Sequence, residues 1–441
     1  MRNNKNPILL VSACTLAMSL ANAAFADEIE KNSHELDLKF RTIYLDREYE
    51  KSEKDQTQSA FGAEFNYRSP KIDDWVRVGI SAYTVEELES SGKVKTDILS
   101  EENGSLEGYG LFGQAYVEIT PSKNSSIKLG RQKTKSMLLS SSGSRAVPST
   151  YQGASGEINF TENLLLYGSI YDEWSKRTSD KFQGFATDTS NVGAIEYVSV
   201  LGAKYGTGPY VLEGEYLNSK DYISKYALRA SYALELAEDS ELIFTGGYFT
   251  SSDDGDLFVT GSEKGELDDK DAAGSESGVT KSSNDGQGAL IQVAWEINKT
   301  TLTAAVSKFD DSWLEDNFAG DHGRNPFPTR ATLGPDLANA NETAAVLKLE
   351  HDWEGTVNGF KSYIGVGKGW DAENSVLGEA GGSADEDWVE AKLAYKVPVL
   401  KGLKLTGKYY YYRADKTGSV NGVKEDQDQI RLYIDYAYKF K

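Results

Sequence analysis

The 441-residue chain carries 68 acidic and 47 basic side chains, a formal net charge of −21, and only 39% of it is hydrophobic. That charge argues against nucleic acid as a partner, which demands clustered basic surface, and the apolar fraction is thin for one large water-soluble core. With Gly at 42, Tyr at 26 and Pro at only 9, long strands are favoured over helices, and a membrane β-barrel reconciles these facts because only one face of each strand must be apolar.

The first element is a leader. Arg2 and Lys5 precede an apolar run over 8–21, and Ala24, Phe25 and Ala26 form a small-x-small cleavage site before Asp27. We expect a signal peptide over 1–26, cut after Ala26, and a mature barrel domain over 27–441. The alternative, a membrane anchor, would need about 20 apolar residues. "VSAC" at 11–14 also resembles a lipoprotein processing box. Cys14 is the single cysteine, so the mature chain is expected to have no disulfide and no thiolate metal ligand.

The mature chain then reads as about eighteen alternating segments. They lie near 34–48, 58–68, 75–84, 108–119, 126–135, 150–160, 163–174, 193–205, 209–218, 222–234, 240–250, 287–297, 300–309, 343–353, 359–369, 386–397, 402–413 and 427–440. The last is the clearest: Ile430, Leu432, Ile434, Tyr436, Tyr438 and Phe440 share one face, Arg431, Tyr433, Asp435 and Lys439 the other. A tilted strand needs about 9–11 residues to cross a bilayer. Connections alternate short ("PSKNS", "FTEN", "GTG", "NK") and long (85–107, 136–149, 175–192, 251–286, 310–342, 370–385, 414–426). "NSKD" at 218–221 is the exception, short where a long loop is due. Short periplasmic turns with long outer loops are the outer-membrane barrel pattern. No plug-sized segment precedes the first strand, which argues against a plugged transporter.

The outer loops "SSDDGDLFVTGSEKGELDDKDAAGSESG" and "DDSWLEDNFAGDH" are acidic. They lack EF-hand spacing, so a solvated surface, bridged to lipopolysaccharide by divalent ions, is preferred over a Ca²⁺ site. His34, His322 and His351 have no zinc spacing. No Gly-x-Ser-x-Gly elbow occurs. Gly108, Gly110 and Gly113 match a dinucleotide fingerprint by letter, but inside an alternating strand with no helix after it. We therefore expect no catalytic residues, no metal site and no cofactor.

What remains is charge inside a tube. Alternation turns Lys39, Arg41, Glu390, Lys392, Lys404, Lys408 and Arg431 inward, so the last three strands and the first form one basic wall. Glu157, Glu196, Glu213 and Glu215 form an acidic wall across the lumen, and the two together would set a transverse field. In "IKLGRQKTK", strict alternation would turn Arg131 to lipid with Ile127 and Leu129, costing about 2–4 kcal/mol at mid-depth. A bulge at Gly130 is expected to turn Arg131 inward; the other reading leaves it snorkelling at the outer interface.

Around these residues the chain resembles the OprD family of substrate-selective outer-membrane porins. The likeness rests on Gly130, Arg131 and Gln132, then Arg145, Pro148, Tyr151 and Gly153, together with "RTIYLDREY" at 41–49. It implies an eighteen-strand barrel, a third outer loop folded into the lumen and a lane of basic side chains guiding carboxylates. Arg131, Arg145 and Tyr151 would form the constriction. One departure is Lys441 after Phe440, where such barrels end on the aromatic itself. The expectation is a multi-pass outer-membrane channel for passive diffusion of small polar solutes, leaning to carboxylates. Its partners would be lipid, lipopolysaccharide and the barrel assembly machinery, which would read the last strand, with a possible homotrimer. A barrel-based enzyme, or an adhesin using the acidic loops, is the alternative.

Overall fold

A computed structural model describes residues 33–50, 55–92, 98–102, 105–187, 194–258, 283–311, 313, 324–334, 336–374, 378–416, 423 and 425–440. The leader with Ala26, the acidic stretches 259–282 and 314–323, and Lys441 lie outside them.

Eighteen strands form the wall: β1 Glu35–Tyr49, β2 Gln56–Arg68, β3 Val76–Gly92, β4 Tyr109–Ser122, β5 Ser125–Gln132, β6 Thr150–Asn159, β7 Leu164–Ser175, β8 Val198–Thr207 and β9 Tyr210–Ser219. They continue as β10 Ile223–Ala237, β11 Ser240–Asp253, β12 Asp285–Ile297, β13 Thr300–Phe309, β14 Thr343–Asp352, β15 Phe360–Asn374, β16 Gly378–Lys396, β17 Leu403–Lys416 and β18 Gln427–Phe440. Each pairs antiparallel with its neighbours, and β1 pairs with β18, so the sheet closes. Closure leaves no edge strand, and every ladder hydrogen bond is made within the sheet, as lipid requires.

Side-chain exposure assigns the faces. Ile430, Leu432 and Ile434 of β18 are exposed, while Arg431 and Tyr433 between them are 4% and 7% exposed. The alternating apolar face is the outer one, and the lumen is packed. Exposed Trp75, Phe160, Tyr210, Trp295, Trp353 and Tyr438 gather at the short-turn end, an aromatic girdle at that interface.

Some boundaries differ from the alternation. β8 begins at Val198, not near 193, and β5 stops at Gln132. The expected loop 370–385 is mostly ladder, because β15 runs to Asn374 and β16 starts at Gly378. Ala372 and Ala384 are directly opposite and pack with Val423, which gives this protruding hairpin an apolar side to bury.

Candidate functional site

Loop L3 (residues 133–149) leaves β5 and lies inside the barrel. Its first turn is held by one carboxylate of β9. Glu215 accepts from Ser136 Oγ (2.8 Å), Met137 N (2.8 Å), Leu138 N (2.7 Å) and Tyr167 Oη (2.7 Å). Met137, Leu138 and Leu139 bury against Tyr151, Tyr171 and Trp174, and further along Ala146 and Val147 bury against Ile43, Leu45, Tyr83 and Val85. The segment turns inward because the lumen wall offers it an apolar seat that water does not.

The described residues of loop L7 (310–342), namely 310, 311, 313, 324–334 and 336–342, form the second inward segment. Phe327 fills an aromatic cluster, with ring centroids 4.6 Å from Phe249, 4.6 Å from Phe309 and 5.4 Å from Trp313. Glu390 of β16 accepts from both the amide and the hydroxyl of Thr332. Lys348 of β14 donates to the Pro328 and Arg330 carbonyls. Near the C-terminal end of L7, the Asn339 side-chain amide bridges Glu342 (2.8 Å) and Glu386 (3.0 Å), both fully buried. Burial and the Glu386 charge push Glu342 well above the ordinary carboxyl range.

The two loops meet. Arg324 of L7 donates from its amide to Leu138 O (3.1 Å) and from Nη1 to Ser136 O (3.0 Å). Beside this junction lie two cavities of about 250 and 220 Å³ that share Arg229, Pro326 and Pro328. The second is bordered by Arg229, Arg324, Arg330 and Lys348. Burial and the nearby Arg229 and Arg330 hold the Arg324 guanidinium below its ordinary value. Among the described residues no group of three or more His, Cys, Asp or Glu is placed to hold a metal ion.

The expected basic wall forms as a row. Lys392 sits directly opposite Lys408, and Lys408 directly opposite Arg431. Two inward rows along, Asp435 lies between Lys404 and Arg41. Lys39 faces Glu64, which it shares with Lys133 at 4.0 and 3.2 Å. Arg41 is committed elsewhere. Its Nε donates to Asp435 (2.6 Å), and its Nη1 to the Gly143 and Arg145 carbonyls of L3 (2.6 and 2.9 Å).

The expected acidic wall is broken up, although Glu157, Glu213 and Glu215 keep the inward phase. Glu196 lies outside the barrel strands and is exposed, because β8 starts two residues later. Glu157 is exposed near the short-turn end of β6. Glu213 lies directly opposite Lys204 and Arg229 and pairs with Arg229 at 2.6 Å. Glu215 is taken up by L3. Among the described residues no row of free carboxylates faces the basic wall, so the expected transverse field loses its negative side.

The constriction residues also move. Gly130 does adopt φ +117°, and its partner Gly153 φ +150°, yet the register through Gly130 is unbroken on both sides. The bulge falls instead between Gln152 and Gly153 of β6, opposite Glu173 and Tyr171 of β7. Gln132, next to Arg131, is the buried lumen-side residue, directly opposite Tyr151. Arg131 therefore keeps the outward phase of Ile127 and Leu129. It donates to Gln152 Oε1 (3.1 Å), which connects through Gln152 to Glu173 (2.8 Å), and its guanidinium lies 4.2 Å from the Phe182 ring centroid. It is one residue from the outer end of β5, where a lipid-side charge costs about 0–1 kcal/mol. Arg145 is inside L3 but 3% exposed, with Nη1 on Ser144 Oγ (3.1 Å). Tyr151 is fully buried beneath L3, stacked on Trp174. None of the three is displayed to the lumen as expected.

The residues that are displayed, Arg229, Arg324, Arg330 and Lys348, were not singled out in the sequence. Arg229 was within reach of the alternation, between Leu228 and the outward positions that follow. Arg324 and Arg330 flank "NPFPT", a Pro- and aromatic-bearing insert within an otherwise acidic loop.

Residues 31–440 match the family described as outer membrane porin, OprD family. No curated protein matches the chain. Among solved structures, Pseudomonas aeruginosa OpdK with vanillate is 18% identical with a TM-score of 0.76, over 92% of this chain and 99% of that one. Acinetobacter baumannii OccAB3 is 20% identical with a TM-score of 0.76, over 92% and 99%. Pseudomonas aeruginosa OccK9 (OpdG) is 17% identical with a TM-score of 0.77, over 92% and 98%. At these identities the structural likeness carries the fold alone.

Proposed function

The chain belongs to the OprD family of outer-membrane porins, and on that premise we propose that it is a passive channel favouring small solutes that carry a carboxylate. One observation carries the preference: Lys392 and Lys408 are direct cross-strand partners on the lumen wall, with the buried Arg431 directly beside Lys408. Like charges directly opposite each other destabilise a sheet by about 0.2–1 kcal/mol per pair. Such a row is a cost to the fold and a benefit to an anion passing along it. The cations at the loop junction extend the same field toward the narrow zone. OpdK, a protein of similar fold, has been crystallised with vanillate, itself a small carboxylate. A channel family gives no support to catalysis. Lipopolysaccharide is the proposed neighbour of the outer rim.

Purified protein in planar bilayers under a salt gradient tests the reading. The wild type is expected to pass anions preferentially, and Lys408→Gln with Arg431→Gln to move the reversal potential toward cations. Channels whose selectivity ignores both substitutions would remove the carboxylate preference while leaving the channel.

A further inference from the structure

Arg41 is a basic residue of the lumen wall whose guanidinium is spent on protein carbonyls. Three side chains converge on the tip of L3. Arg41 Nη1 donates to the Gly143 and Arg145 carbonyls, and Tyr433 Oη of β18 donates to the Ser144 carbonyl (3.3 Å). From the other side Arg177 donates to Ser144 Oγ (2.7 Å) and Ser142 Oγ (3.2 Å). Arg41 is itself fixed by Asp435, its direct partner across the seam where the last strand meets the first. On its other side, directly opposite, is Gly62. A Cβ there would stand 2.7 Å from the Ala146 carbonyl oxygen and 3.0 Å from the Ala146 Cβ. The row Asp435–Arg41–Gly62 is thus a seat: a charge to hold the guanidinium, a fork to hold the loop, and bare backbone to let the loop lie flat.

We propose that Arg41, held by Asp435, is the latch that keeps L3 across the lumen and sets the aperture, and is a positioning residue rather than a guide for anions. The inference rests on reading the chain as a diffusion channel. The guanidinium fork reaches the carboxylate from Nε and the two carbonyls from Nη1; lysine carries its three donors on one nitrogen and lacks that planar spread.

The test measures unitary conductance and reversal potential of wild type, Arg41→Lys and Gly62→Val in planar bilayers. Heat-modifiable mobility in gels checks that each barrel is closed. A latch predicts that both variants rise to roughly twice the wild-type conductance or more, since pore diameter governs flux. Arg41→Lys keeps the charge, and Gly62→Val touches no charge at all. A guide predicts that both retain wild-type conductance. Wild-type conductance in Arg41→Lys overturns the latch. A wild type that forms no channels overturns instead the channel reading beneath it.

Discussion

The β8–β10 wall and the β16–β18 wall use their charges in opposite ways. On the first, Glu213 is flanked by Lys204 and Arg229, and Glu215 is consumed by four donors of L3 and β7. On the second, cation faces cation along Lys392, Lys408 and Arg431. The direct cross-strand neighbour is of opposite charge on the first wall and of like charge on the second, and that sets the field each lends the lumen.

Four changes would break or sharpen that contrast. The largest effect is expected from Glu215→Ala. It leaves the Met137 and Leu138 amides and two hydroxyls without their acceptor, which costs about 3 kcal/mol or more. Equilibrium urea unfolding into vesicles would measure the loss, and a midpoint equal to wild type would show that the carboxylate is not holding L3. Next, Lys408→Gln with Arg431→Gln should reduce anion preference while raising stability slightly, because a like-charge row is relieved. If reversal potentials move but stability falls, packing by the aliphatic stems outweighs the repulsion.

The third change concerns Glu342. Its folded pKa lies above its ordinary 4.5, so the native state holds that proton more tightly than the unfolded chain. Its stabilising contribution is complete below pH 4.5 and is lost as pH rises through the raised value. Cleavage within L7 by added protease should accordingly increase with pH. Glu342→Gln, which keeps an acceptor for Asn339, should flatten that dependence and stabilise at neutral pH. The smallest effect belongs to Arg131→Ala. Unfolding should change by less than about 1 kcal/mol, and conductance and selectivity should match wild type. A changed selectivity would return Arg131 to the lumen.

The wall was legible because a strand between lipid and water must alternate, and β13, from Thr300 to Phe309, and β18, from Gln427 to Phe440, appear with the bounds the alternation gives. Phase errors arose where backbone departs from simple pleat. At Gly130 the expected bulge was inferred from the mid-depth cost of an outward Arg131; the residue sits at the strand end, where that cost vanishes. The alternation was extended to 193, five residues before the start of β8, and so took in Glu196. The site itself was less legible. Whether Arg41 guides a solute or binds the Gly143 carbonyl depends on where L3 comes to rest, and neighbours remote in sequence decide that. Resemblance pointed correctly to an inward third loop, but its motif residues Arg145 and Tyr151 build that loop's packing.

The seat of L3 also has a place in time. Arg41 and its anchor Asp435 are 394 residues apart, on the first and last strands of the wall. Their pairing exists only once the seam has zipped, and contacts so remote in sequence are late ones. A nascent barrel still open along that seam lacks Asp435 and Tyr433 at the loop tip, so the seat is completed by the same event that seals the cylinder.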